Sequence, residues 1–570
     1  MFFNNVRFIG ALMAASLVLA AACGQSATPT PVPRPTPAPT STFTPVPDTT
    51  LTPVAATATP QPTPTEVPFS LSDLPREATL MLSDANPTTL DPALTMDARS
   101  HRYVAQIFSG LVRLDADLRV APDLAESWEV LGAGTGYLFH LREGATFHSG
   151  KAVTAQDVKD SLERATDPET GSETAQTYLG DILGATRKLA GRAPEITGVR
   201  VVDEQTLEII IDAPKPYVLA KLTYPVAAVV DMDNVADGPE WFRSPNGTGP
   251  FKLKAWEEEQ FLVLEWNRDY YLGAPSVEFV AFRFLAGVPI RLYETDAIDA
   301  AAVGISSLQR VLDPQEPLSR ELQVFQELTI LLTGFNVSEP PFDDQLVRRA
   351  FALALDRERL VRVVLEDSVQ RANGFLPPGM PGYIADFPGI PYDPEEARQL
   401  LAGSEYGGPE ELPPIVYTTS GQGSADAVME AMVDMWRTNL GVEVTVRQIE
   451  SESYFDRIAD EVDNLFDYGW VADYPDPENI LDILFHSQGA NNTGKYTNDH
   501  VDTRLEEARV ERVVRRRLDT YRQVQLLLLA DAAAIPLWYD RNYVLVKPYV
   551  KGYALNPQGI PTLADVRLER

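Results

Sequence analysis

Apolar and polar positions along this chain change period many times, and the changes outline its elements. Around 138–142, Phe139 and Leu141 interleave with Leu138, His140 and Arg142, the two-residue alternation of a strand. A glycine-rich turn follows, and Thr154 with Asp157 three residues on has the spacing of a capping box at a helix start. Upstream, residues 121–130 predict a helix. Residues 201–214 and 247–267 each predict a hairpin. The stretch 335–365 reads as a strand end, a proline turn and a long amphipathic helix beginning near Asp343. A further helix spans 392–404, capped by Asp393, opened by Pro394 and stopped by Gly403.

A strand at 413–420, a helix at 424–440 ended by Gly441, and a strand at 442–449 then form a βαβ unit. Two long helices lie between 499 and 534, before a last strand at 535–546. Alternating strands and helices from about Ser70 onward predict an α/β fold, with helices on the faces of a parallel or mixed sheet.

The first residues follow neither period. Arg7 is the only charge before an uncharged run from Phe8 to Ala22, which is shorter than the ~20 residues of a membrane span. It suits the core of an export signal, so 1–22 is expected to be a signal peptide. Cys23 is the only cysteine, which excludes an intrachain disulfide. A lone cysteine behind three alanines resembles a lipoprotein signal. Lipid attachment at Cys23, and through it a membrane anchor, is therefore expected; an ordinary secretory signal with an incidental cysteine is the alternative. Residues 28–68 are a Pro/Thr tract charged only at Arg34, Asp48 and Glu66. Such a tract cannot build a core. At ~3.1 Å per residue, 23–69 is expected to act as a tether reaching roughly 100 Å.

Composition narrows the function. Of 570 residues, 23% are charged and 44% hydrophobic, ordinary for a folded soluble body. The net charge of −33 argues against nucleic acid, whose phosphates need a basic face. It keeps the protein soluble and draws cationic ligands weakly. No G-x-S-x-G elbow is present, a lipidated Cys23 is no nucleophile, and nothing singles out a catalytic pair among 81 acidic residues. No enzyme is expected. His101, His140, His148, His486 and His500 show neither H-E-x-x-H nor close ligand spacing, so no metal or cofactor is expected. His140 and His148 read as structural, and His486 and His500 as solvated.

Six segments carry a resemblance. In chain order they are FHLREGATFHSGKAVTAQDV (139–158), TGPFKL, FN…PFDD…VRRA…ALDRE, YDPEEARQLLA, WVADYPDPENIL and IPLWYDRNYVLVKPYVKGY. Together they resemble the family 5 solute-binding proteins, the extracytoplasmic receptors of oligopeptide and dipeptide ABC importers, over about 77–553. No single motif is specific, but the ordered set is. The resemblance implies a two-lobed periplasmic-binding-protein (clamshell) fold. Lobe I would comprise 70–284 plus 534–570, with an extra subdomain at about 112–194. Lobe II would comprise 285–533, the crossings falling near Leu285 and 532–534. It also implies a monomeric receptor that captures peptide and delivers it to a permease driven by ATPases.

Residues 466–471 read as an aromatic strand leaving into the loop that holds Asp473, between Trp470 and Tyr474. A loop at the carboxyl end of a strand in an α/β sheet is where ligands lie. A carboxylate between aromatic faces suits an ammonium group. An Asp beside proline equally serves as a turn residue bonded to its own backbone. The resemblance implies that Asp473 holds a peptide's α-amino group. Tyr468, Gly469 and Trp470 would pair with the peptide main chain, and Thr95, Met96, Asp97 and Ala98 would form the opposing strand. Glu452 stands where peptide-binding relatives often place a tryptophan near the ligand, which would favour basic peptides. Trp470, Tyr474, Trp538 and Tyr539 leave oligosaccharide open, and metal chelates are a further cargo within the family.

Overall fold

The computed structural model describes residues 69–570 apart from 285, 422–425, 451–452, 455–456, 459–460 and 490. The signal segment, Cys23, the Pro/Thr tract, Leu285 and Glu452 lie outside the described residues.

β1 (Thr79–Ser83) is the first strand, four of its five residues buried. Beyond a short hairpin of Val112–Leu114 and Val120–Pro122 come β2 (Ala125–Leu131), β3 (Gly136–Leu141), β4 (Val199–Asp203) and β5 (Thr206–Ile210). They form a separate antiparallel sheet ordered β2-β3-β5-β4. The chain returns through β6 (Phe251–Glu257), β7 (Phe261–Trp266) and β8 (Phe279–Arg283) to give a sheet ordered β1-β8-β7-β6. Further strands are β9 (Ala300–Ala302), β10 (Leu322–Gln326), β11 (Thr329–Phe335), β12 (Gln370–Arg371), β13 (Ile415–Ser420), β14 (Val444–Ile449), β15 (Leu465–Val471), β16 (Ala534–Tyr539) and β17 (Arg541–Val546). They divide between a three-stranded sheet, β9-β17-β10, and a six-stranded sheet, β12-β16-β11-β15-β13-β14.

The expected βαβ unit is present, with β13 parallel to β14, while β15 pairs antiparallel with β11. The six-stranded sheet is therefore mixed. Apolar clusters cover both its faces: Ala534 and Tyr539 pack on one side, Ile535 and Leu537 on the other, with alternation along β16 interrupted where its register against β11 shifts between Pro536 and Trp538. Gly334 on β11 stands opposite Phe466, and a side chain there would begin 2.2 Å from the Phe466 ring. A glycine lets that ring lie over the neighbouring strand.

The helices that matter for the site are α1 (Ala98–Ile107), α2 (Ala155–Ala165), α3 (Ala175–Leu179), α4 (Val218–Lys221), α5 (Gln345–Leu353), α6 (Pro394–Gly403), α7 (Ala427–Leu440), α8 (Glu478–Phe485), α9 (Asp499–Val510) and α10 (Val514–Ala530). α2 opens with the predicted capping box: the Thr154 side chain accepts from Asp157 N and the Asp157 carboxylate from Thr154 N. Asp393 caps α6 as expected. Among the described residues, no helix is long and apolar enough to cross a membrane.

Three expectations need correction. Residues 121–130 are extended, not helical: most of the stretch lies in β2, where Trp128 pairs with Phe139 of β3. Cross-strand partners outweigh local propensity there. The helix after Asp343 breaks beyond Leu353, and Asp356 caps a new turn. The buried Arg357 pins that break by donating to the carbonyls of Ala372 (2.8 Å), Pro536 (2.6 Å) and Ile390. The single last strand is two, β16 and β17, in different sheets.

The two sheets exchange chain at two places. Glu327–Leu328 joins β10 to β11, and Asp540 joins β16 to β17. Residues 532–534 lead into β16 of the six-stranded sheet.

Candidate functional site

β15 lies between β11 and β13, but its ladder with β13 covers only Leu465 and Phe466. Its later residues run past that neighbour toward the loop. Tyr468 and Trp470 project on one side, with rings 6.4 Å apart and nearly parallel. Gly469 between them faces Leu331, whose Cδ1 would lie 2.9 Å from a Cβ.

Beyond Val471 the chain is held residue by residue. Ala472 N donates to the Leu328 carbonyl at 2.8 Å. Asn479, fully buried in the first turn of α8, accepts from Trp470 Nε1 (2.9 Å) and from Asp473 N (3.0 Å). Its Nδ2 donates to Asp473 Oδ2 at 3.1 Å. Asp476 starts α8 by accepting from Glu478 N, and Arg517 of α10 grips its carboxylate at 2.6 and 2.7 Å. The loop is thus rigid before any ligand arrives.

The Asp473 carboxylate also reaches the other part of the molecule. Tyr178 of α3 donates its hydroxyl to Oδ2 at 2.5 Å. The Tyr178 ring stacks on Tyr224 at 3.6 Å and 4°, and His101 of α1 meets Tyr224 edge-on at 4.8 Å. Gln558 Nε2 donates to the Asp473 carbonyl at 2.6 Å. Asp473, His101, Arg113, Tyr224 and Gln558 line one cavity of about 500 Å³, the volume of a small-molecule or short-peptide site.

Burial pushes the Asp473 carboxyl up to about 6, against the opposing pull of the Tyr178 and Asn479 bonds. Desolvation takes His101 down to about 4, so it is neutral at physiological pH. A mostly ionised, partly desolvated carboxylate flanked by neutral donors is a receptor for a cation. Close by, Lys221 of α4 lies between Asp181 (3.0 Å) and Glu478 of α8 (3.4 Å), all three nearly inaccessible to water.

The sequence-predicted residues are only partly gathered here. Asp473, Trp470, Gly469 and Tyr468 lie on one strand and loop as expected. Tyr474 is fully buried, its hydroxyl donating to Glu478 and its ring set edge-on to Tyr178, so it supports the loop instead of facing a ligand. Residues 95–98 are not a strand: Thr95 and Met96 lie in no regular element, with Thr95 N on the Asp91 carbonyl, Asp97 caps α1 by accepting from Ser100 N, and Ala98 opens that helix. Asp97 also takes the Thr88 hydroxyl at 2.7 Å. Tyr539 is buried with its hydroxyl on the Gly374 carbonyl, so with Tyr474 it leaves no open four-ring platform for a sugar. His486, expected in solvent, is buried at the end of α8 and accepts from Gln488 N.

Sequence reasoning missed Asn479, Tyr178, Tyr224 and Gln558. Asn479 had a usable signal, since it sits six residues after Asp473 where the new helix starts. The other three had none, being separated from Asp473 by 85 residues or more of chain.

Comparison with known proteins gives the family. The family described as bacterial extracellular solute-binding proteins, family 5 middle, matches residues 119–492. The chain is 29% identical over 513 residues to the probable deoxycholate-binding periplasmic protein YgiS of Escherichia coli, covering 86% of this chain and 94% of that one. It is 29% identical over 506 residues to the periplasmic oligopeptide-binding protein OppA of the same organism, covering 86% and 92%. Among solved structures, the E. coli murein tripeptide binding protein MppA superposes with a TM-score of 0.77 at 26% identity, covering 87% of this chain and 99% of that one. The expected two-lobed α/β fold is the fold of such structures, and the family comprises solute-binding receptors, not enzymes. The chain belongs to the family 5 bacterial extracellular solute-binding proteins.

Proposed function

We propose that this protein captures short peptides between two lobes and delivers them to the permease of an ABC importer. Asp473 takes the peptide's α-ammonium, and the edge of β15 at Gly469 and Trp470 pairs with its main chain. The observation that carries the reading is the Asp473 carboxylate, fixed by Asn479 at the start of α8 and met by Tyr178 from across the cavity. A salt-bridged ammonium there gains strength from the low local dielectric.

On this reading the lobes meet at Glu327–Leu328 and Asp540, two adjacent crossings that act as the hinge. Lobe I then runs from 69 to about 326 and resumes at 541, and lobe II spans 328–539. Ligand retention follows from closure about that hinge. Cys23 anchors the body to the outer face of the membrane through the 23–69 tether, and one chain is the working unit.

Isothermal titration of the folded body with Ala-Ala-Ala and with its N-acetylated form tests the assignment. Tight binding of the free amine and none of the acetylated peptide is expected. Equal affinity for the two removes Asp473 as the ammonium site. Uptake of deoxycholate with no uptake of either peptide would replace the cargo altogether.

A further inference from the structure

Two carboxylates, Glu327 and Asp540, stand side by side where the chain crosses between sheets. Phe325 is opposite Asn542 and Gln326 opposite Arg541 in the β10–β17 ladder, so Glu327 and Asp540 are the next facing positions. Arg541 turns away and reaches Gln370 at 3.5 Å. The charged group acting on Asp540 is the like-charged Glu327; burial and that neighbour push the Asp540 carboxyl up to about 7, against the opposing pull of a hydrogen bond from the Trp538 side chain. Among the described residues, no lysine or arginine offsets this pair.

Unsatisfied polar atoms surround the same place. Thr329 is only 4% exposed and its Oγ1 has no partner; it opens β11 two residues after Glu327. Asn542, two residues after Asp540, has an unpartnered Nδ2. Buried polar atoms left without partners in a folded protein point to a missing water or ligand group. The loop at 556–559 links this place to Asp473. A side chain on Gly559 would begin 3.0 Å from Glu327 Oε1 and 3.7 Å from Asn542 Nδ2, while the adjacent Gln558 bonds the Asp473 carbonyl.

We infer that Glu327 and Asp540, with Thr329 and Asn542, form a second cation subsite beside Asp473, selecting peptides that carry a lysine or arginine side chain in addition to the α-ammonium. The carboxylates take the side-chain cation, the Thr329 hydroxyl accepts one of its N–H groups, and Asn542 Nδ2 donates to a peptide carbonyl. A donor amide beside two anions favours a peptide over a simple diamine, which has no carbonyl to offer. The inference rests on the peptide reading above and adds the side-chain class.

Titration of Lys-Ala-Ala, Ala-Lys-Ala and Ala-Ala-Ala into the wild-type protein, the Glu327→Gln/Asp540→Asn double variant and Asp473→Asn separates the two claims. At least one lysine peptide is expected to bind wild type tenfold or more tighter than Ala-Ala-Ala. In the double variant the ratio of lysine-peptide to Ala-Ala-Ala affinity falls below twofold, whatever the substitution does to closure, and a circular-dichroism spectrum matching wild type reports an intact fold. No lysine advantage in wild type, or one that survives the double substitution, overturns the second subsite and leaves the peptide reading standing. Unchanged binding by Asp473→Asn, or no uptake of any peptide by wild type, overturns the peptide reading and this inference with it.

Discussion

The Tyr178 hydroxyl and the Asp473 carboxylate, 295 residues apart in the chain, are joined by a 2.5 Å hydrogen bond. The tyrosine comes from the part built on β2–β5, the aspartate from the loop after β15 in the six-stranded sheet. On the proposed clamshell reading, closing the molecule and preparing the anion are one event. Tyr178→Phe removes a hydrogen bond to a charged group, worth ~1.5–3 kcal/mol. Affinity for a free-amine tripeptide is expected to fall at least tenfold in titration calorimetry. Undiminished affinity would show that the hydroxyl plays no part in the liganded state.

The charge state of Asp473 gives a pH signature. An ammonium binds its ionised form, so affinity should decline as pH falls below about 6, where burial has placed this carboxyl. Asp473→Asn should bind weakly with a flat profile. Stability follows the opposite sense. The folded state holds this proton up to about 6, whereas an unfolded aspartate releases it near 3.8. Between those values the folded state binds more protons, and stability contributed by this group falls as pH rises through the window. The loss is complete above it and amounts to at most about 3 kcal/mol. Thermal melts of the ligand-free proteins should therefore show Asp473→Asn more stable than wild type at pH 8 and no more stable at pH 4.

Lys221 joins the two parts at a second point. Burial works against its charge, yet Glu478 and Asp181 hold its ammonium above the usual lysine range. Burial in turn pushes Glu478 up to about 7 despite Lys221. Lys221→Met would strand Glu478 in the interior, while Asp181 keeps Lys215 at 2.5 Å. Removing one partner of a buried pair costs ~3–5 kcal/mol. Urea unfolding should register that loss, or small-angle scattering should show a more open ligand-free molecule. A variant with neither change would mean that the pair spans no real contact.

Arg357 makes a structural prediction. Burial lowers its guanidinium to about 10, and the carbonyls of Ala372, Pro536 and Ile390 are its direct partners. Arg357→Met leaves those carbonyls unpaired. At ~1–3 kcal/mol for each buried group stranded, the variant should lose several kcal/mol in chemical denaturation. The pH dependence of ligand binding should be unaltered.

Much of this architecture was legible in the one-dimensional pattern because its causes are local. The capping box at Thr154 and Asp157, the Asp393–Pro394 helix start, the hairpin of β6 and β7 and the β13–α7–β14 unit each need only neighbours within a few residues. Residues 121–130 misled for the complementary reason. Their composition suits a helix, and only the ladder to β3 makes them extended. Helix α5 was overextended because the buried contacts of Arg357 reach carbonyls up to 179 residues away.

The candidate site divides in the same way. Asp473 and its strand could be located from a run of aromatic, aspartate and proline residues, since strand, turn and helix start are written in adjacent positions. Which groups would face that anion could not. Tyr178 and Gln558 reach its residue only through the packing of separate elements, the Glu327–Asp540 pair is likewise brought together by pairing of distant strands, and no spacing rule links them beforehand. The amino-acid sequence alone determined the elements, the order of the motifs and the anion. Tertiary structure decided what surrounds that anion, because desolvation and hydrogen bonding depend on distances in space and not on separation along the chain.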